Sequence, residues 1–141
     1  MIAIIVDPVP PIIDPPVVID EITIGWAGAI VPKARPNFNN GRAYMPTHYQ
    51  EWMRQHVRAF EDWWDGRPTI SNPILAYLDL YGKHNRSGDA DNTIGSVLDA
   101  LVKAKVIRDD NMLRNPGEGA HLYYSAKLPP TAILRLQILE D

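Results

Sequence analysis

The chain has 141 residues, 45% of them hydrophobic and 22% charged, with a net charge of −3. That is the size and make-up of one globular domain, too short for two ordinary ones. The absence of cysteine excludes structural disulfides, cysteine-ligated zinc, iron–sulfur clusters and thiol nucleophiles.

Apolar runs fall far below the roughly 18 residues that signal a membrane span. Met1 to Val6 lack a basic leader and are interrupted by Asp7 and Pro8, a poor signal peptide. A soluble, cytoplasmic protein is expected, without a membrane partner. Net acidity argues mildly against nucleic acid, but the charges are unevenly placed. Residues 1–22 carry four acids and no base, whereas 23–58 carry Lys33, Arg35, Arg42, Arg54 and Arg58 against Glu51 alone. Phosphate contacts depend on such local charge rather than on the total.

Residues 1–20 hold Pro8, Pro10, Pro11, Pro15 and Pro16 among Ile and Val. Proline neither donates into a ladder nor sits inside a helix, so an extended tail is expected there, with one folded domain over 21–141. From Glu21 to Val31, Ile22, Ile24 and Trp26 alternate with Thr23 and Gly25 as in a half-buried strand ended by Pro32. Asn39-Asn40-Gly41 is a hairpin turn signal, with Ala43 to Met45 as the return strand.

A helix is expected over 48–64, with Tyr49, Trp52, Met53, Val57, Phe60 and Trp64 on one face. Thr47 and Gln50 have capping-box spacing, and Gly66 stops the run. Pro73 to Tyr81 reads as a buried strand with Ile74, Ala76, Leu78 and Leu80 on one side, followed by a polar loop to Gly88. Ile94, Val97, Leu98, Leu101 and Val102 then mark a second helix by their spacing of three and four. Val106-Ile107 suggests a short strand beside the one ending at Tyr81. Strands over 121–127 and 131–139, separated by Pro129-Pro130, complete the sheet, and Asn115 to Gly119 reads as a flexible loop.

Asp89-Ala90-Asp91-Asn92 lies between the polar loop and the second helix. One acid there is explained by the positive end of the helix dipole, and Asn92 or Asp91 can cap the helix. Two acids at i and i+2 in extended chain point the same way and repel unless a cation or proton lies between them. Magnesium favours such hard oxygen ligands. If Val106-Ile107 is a strand beside Tyr81, Asp110 returns to the Asp89 and Asp91 end, and three carboxylates converge on a metal that activates water. Taken alone, this spacing is a weak signal, since solvated turn acids are commoner.

The run Asp89-Ala90-Asp91-Asn92, a helix containing Leu98-Asp99-Ala100-Leu101, and Asp109-Asp110-Asn111 resembles the ordered motifs of the RusA family of Holliday junction resolvases. Pro32-Lys33-Ala34-Arg35-Pro36, with Tyr44-Met45-Pro46 and Tyr49, is similar to the family's amino-terminal block, so the resemblance spans roughly 22–139. It implies a small α+β domain with a mixed sheet and two main helices, paired as a homodimer. It implies magnesium-dependent, symmetric nicking of two opposed strands at a branched, four-way DNA junction in recombination and repair, with manganese able to replace magnesium. By motif, Asp89, Asp91 and Asp110 would be the catalytic, metal-binding carboxylates. Asp99 would serve structure or the ligands' surroundings, and Asp109 an outer position.

One departure stands out. Many family members carry a catalytic lysine four residues after the second Asp of this motif, where this chain has Gly95. Either another base among Lys33, Arg35, Lys83 and Lys103 takes the role, with Lys33 and Lys83 preferred for their loop positions, or cleavage is weak or absent and the protein chiefly binds junctions. Lys33, Arg35, Arg42, Lys83 and Arg86 are the expected DNA contacts, since loops and hairpins can follow a phosphate backbone. The four histidines show no ligand spacing and are assigned to no metal.

Overall fold

Period-two alternation decides which strands form the centre of the sheet. In the computed structural model, which describes residues 17–33, 37–84, 90–109 and 113–141, strand β4 (Ile74–Gly82) buries Ile74, Ala76, Leu78 and Leu80. Residues 37, 39, 90–92 and 113–118 are described by their backbone alone. Strand β6 (Thr131–Leu139) alternates in the same way and buries Ala132, Leu134 and Leu136. With β1 (Val18–Ala27) and β5 (Leu113–Tyr124) these strands form a four-stranded sheet in the order β1-β6-β4-β5. β4 and β5 are parallel and the other pairs antiparallel, so the sheet is mixed as expected. Strand β1 begins inside the segment expected as tail, and the Glu140 amide donates to the Val17 carbonyl.

Between β1 and the first helix stands a separate hairpin, β2 (Asn37–Asn39) and β3 (Arg42–Tyr44). Asn40 and Gly41 both take positive φ, 50° and 76°, the tight two-residue turn that an Asn-Gly pair favours.

Helices α1 (Thr47–Trp64) and α2 (Ala90–Lys103) share one continuous core with the inner sheet face. Phe60, Val97, Leu101, Leu134 and Leu136 are almost wholly removed from water there. Each such side chain contributes about 1.5–3 kcal/mol by burial. The expected capping box does not form. Pro46 is the N-cap, and its carbonyl accepts the Gln50 amide, so Thr47 already lies inside the helix. The Gln50 side chain instead donates to the Met45 carbonyl. At the far end Asp65, not Gly66 alone, turns left-handed, with φ 51°, and its amide donates to the Glu61 carbonyl.

Aromatic packing on α1 carries a pH dependence. His56 stacks on Trp52 with ring centroids 4.2 Å apart, and its Nδ1 donates to the Trp52 carbonyl at 2.8 Å. Burial pulls the imidazolium below its ordinary pKa of 6.5, the backbone hydrogen bond opposing this in part. The folded state thus prefers neutral His56, and stability present above the unfolded value is lost as pH falls through 6.5 toward the depressed folded value. A melting series from about pH 7.5 to about pH 5 should show this loss, and His56→Gln should flatten it. An unchanged slope in that variant would assign the dependence to other groups.

Two further expectations are corrected. Val106-Ile107 is not a strand beside Tyr81. Lys105 takes φ 62° after α2, and the Val106 amide turns back to the Leu101 carbonyl. Ile107 then makes an isolated parallel bridge to Ile70, ahead of the start of β4. The neighbours of β4 are β5 and β6. Residues 115–119 are not a free loop but part of β5, at a register shift where two steps of β4 (Ile74 to Ala76) face five of β5 (Leu113 to Glu118). That strand ends at Tyr124 rather than at Lys127.

Candidate functional site

Thr131 pairs with both Ala27 and Tyr81, so β1 and β4 finish at the same end of the sheet. Chain leaving that end builds the site. After β1, the Gly28 amide donates to the Pro130 carbonyl at 2.9 Å, Ile30 is buried, and the Val31 carbonyl accepts the Ser96 hydroxyl at 2.8 Å. This fastens the segment before the hairpin onto α2. Lys33, two residues on, places Nζ 3.2 Å from Asp99 Oδ2. Its stem lies along the helix, with Cδ 3.7 Å from where a Cβ on Gly95 would stand.

Tyr49 joins the cluster from α1, in hydrogen-bond contact with Ser96. Its phenol is pushed above its ordinary pKa by burial and then by the Asp99 charge, with Ser96 and Lys33 acting in the opposite direction. It therefore stays a neutral hydroxyl throughout the physiological range. Ser96 is wholly buried and Asp99 largely so, whereas Lys33 keeps about half of its side chain in water. A serine on the inner face of a helix and a tyrosine in an aromatic stripe gave no sequence signal of this tether. The lysine and glycine it holds together did.

After β4, the route to Asp89 is anchored by Gly82 and His84. Gly82 accepts the Ser125 amide at 3.1 Å, Lys83 donates its amide to Leu128 at 3.1 Å, and buried His84 donates from Nε2 to the Thr131 carbonyl at 2.8 Å. Helix α2 begins at Ala90, which puts Asp91 in its first turn. Asp91, Gly95 and Asp99 then follow at intervals of four along one side, each step rising about 6 Å. The opposite end of α2 holds Lys103, and the chain beyond it pairs with Ile70 before reaching Asp109. From Asp91 to Lys103 the helix rises about 18 Å.

Of the residues expected to act, Asp91 is fixed by its backbone, Lys33 stands beside the helix, and Lys83 and Arg42 are exposed on the loop root and on β3. Asp89, Asp110, Arg35 and Arg86 lie outside the described residues, as do residues 1–16 of the expected tail. Among the described residues no three His, Cys, Asp or Glu side chains form a metal-holding group. No helix among them is long and apolar enough to cross a membrane.

A mixed four-stranded sheet backed by two helices, with an aspartate in the first turn of α2, defines a small α+β domain. Residues 27–127 match the family model of endodeoxyribonuclease RusA, well over half of the chain, and the protein belongs to that family. Its members are endonucleases of the Holliday junction resolvase class, acting on branched DNA. No curated protein matches the chain.

Proposed function

We propose that this protein resolves four-way DNA junctions by paired, symmetric nicks, using a divalent metal held by Asp89, Asp91 and Asp110. The observation that carries this reading is the start of α2 at Ala90, which sets the second aspartate of the Asp89-Ala90-Asp91-Asn92 motif in the first helical turn, within the family match. Three aspartates are a donor set of hard oxygens, which suits magnesium, with manganese as substitute. When bound, the metal supplies an activated water and stabilises charge on the phosphodiester. Lys33, Arg35, Arg42, Lys83 and Arg86 follow the DNA backbone, Arg42 from the exposed strand β3 of the hairpin. DNA processing in the cytoplasm is the setting this implies.

The dimer has a geometric rationale. Asp109, the covalent neighbour of Asp110, follows the far end of α2 from Asp91. We infer a homodimer in which each site takes Asp89 and Asp91 from one chain and Asp110 from the other. A two-fold axis through such a pair presents two equivalent sites to opposed strands.

The test incubates the protein and magnesium with an end-labelled synthetic four-way junction, alongside linear duplex of the same sequence. Paired nicks in opposed strands of the junction alone are expected. Tight binding without nicks would favour a junction-binding protein, the reading that Gly95 in place of a lysine invites. Equal cutting of linear duplex would remove junction selectivity.

A further inference from the structure

We propose that Lys33 is the cation of the active site, delivered from the β1–β2 connection across the space left by Gly95 to the scissile phosphate. This rests on the endonuclease reading above. Lys33 Cδ stands 3.7 Å from the position a Gly95 Cβ would take, ordinary van der Waals contact, so the lysine stem runs beside the point from which a side chain at 95 would project. The ammonium reaches Asp99, at 3.2 Å, one turn further along. Asp91 lies one turn the other way, about 6 Å from Gly95 along the axis. A lysine rooted beside Gly95 can therefore address either neighbour by rotating its terminal carbons.

The root is tethered to the helix. Val31, two residues before Lys33, is tied to buried Ser96, which also contacts Tyr49. The tip is not buried: about half of the Lys33 side chain is exposed, and half-exposed ion pairs are weak enough to be exchanged for a phosphate. Asp99 is thus a positioning residue that holds the ammonium beside the helix until DNA arrives.

The chemistry needs such a charge. Hydrolysis forms a bond from a water oxygen to phosphorus and breaks the bond to one ester oxygen, which leaves with a proton. Negative charge gathers on the non-bridging and leaving oxygens on the way, and a fixed cation there stabilises the transition state more than the ground state.

The experiment has two arms on the full-length protein. In the first, the Nζ resonance of Lys33, assigned by its loss in Lys33→Ala, is followed by NMR while a four-way junction is added in EDTA. A shift on binding, accompanied by a salt-dependence slope reduced by about one in Lys33→Ala, is expected. A resonance that ignores saturating junction, or a protein that binds no junction, overturns the proposal.

In the second arm, Lys33→Ala should cut about 100-fold more slowly with magnesium while keeping its fold by circular dichroism. Moving the lysine onto the helix, in Lys33→Ala with Gly95→Lys, should restore at least about tenfold of the rate. Gly95→Lys alone should add less than that to the wild type, because the site then already holds its cation. A folded double variant without recovery, or a Lys33→Ala protein that cuts at the wild-type rate, overturns the proposal while leaving the endonuclease reading intact. A wild-type protein that makes no nicks overturns the endonuclease reading instead, and the metal-free arm then decides Lys33 alone.

Discussion

A Gly82→Ala protein is expected to lose a large share of its folding stability. Gly82 ends β4 with φ 90°, a backbone conformation that a Cβ makes costly by about 1–3 kcal/mol. Space is the harder constraint. An added Cβ would stand 2.9 Å from both the Leu128 oxygen and the Pro129 carbonyl carbon, and closer still to the Pro129 oxygen. These are backbone atoms, and they cannot rotate away. The Lys83 amide is bonded to that same Leu128 carbonyl, so relief of the clash would also break the link between β4 and the β5–β6 connection. Overpacking of this kind adds about 1–3 kcal/mol, for a total on the order of 2–6 kcal/mol. Set against a typical stability of about 5–15 kcal/mol, that is a large share. Urea unfolding followed by circular dichroism measures it, and a midpoint unchanged from wild type would mean that residues 128–130 yield freely. Because Gly82 also roots the loop leading to Asp89, whatever folded protein remains should cut poorly.

Periodicity made most of this fold legible. The alternation over 74–81 and over 131–139 gave β4 and β6, and the spacing of Tyr49, Trp52, Met53, Phe60 and Trp64 gave α1, because burial on one face leaves a pattern no local effect disturbs. The errors arise where one residue's backbone overrides composition. Pro46 is already extended, with ψ 142°, and its carbonyl closes the first helical turn, so Thr47 is drawn inside and cannot cap. Lys105 turns left-handed without being glycine and sends Val106-Ile107 back to Ile70, and nothing in the sequence marks that reversal. Pro116, Gly117 and Gly119 read as a loop, yet the edge strand β5 absorbs them in a register shift. Edge strands tolerate such residues because one side of the ladder is free.

The site was legible in a different way. The aspartate motif was visible as spacing and acquired meaning only from its order along the chain and the family it matches. Lys33 was one of several basic residues in loops. Contact with Gly95 and Asp99 distinguishes it, and such contact is a property of two segments 62 residues apart in sequence that only folding brings together. Ser96 shows the same limit: a helical serine reads as surface, whereas here it is wholly buried and donates to Val31.

Asp91→Asn carries the largest functional effect expected. The substitution keeps shape and removes one negative charge from the first turn of α2, where an acid is worth about 0.3–1 kcal/mol through the helix dipole. Stability should therefore change little, and the melting temperature checks this. Cleavage of a four-way junction with magnesium should fall by about 1000-fold or more, since a metal-bound nucleophile supplies several kcal/mol of the rate. Junction affinity in EDTA should rise, because a carboxylate facing phosphates repels them when no metal intervenes. A rate within tenfold of wild type would remove Asp91 from the metal site. Mixing the inactive Asp91→Asn protein with an inactive Asp110→Asn protein then probes how the site is assembled. If each site draws Asp91 from one chain and Asp110 from the other, a mixed dimer contains one site with both substitutions and one with neither. That intact site should nick one strand of the junction, while either protein alone nicks none. If both aspartates come from a single chain, every site in the mixture carries a substitution and no nicking returns.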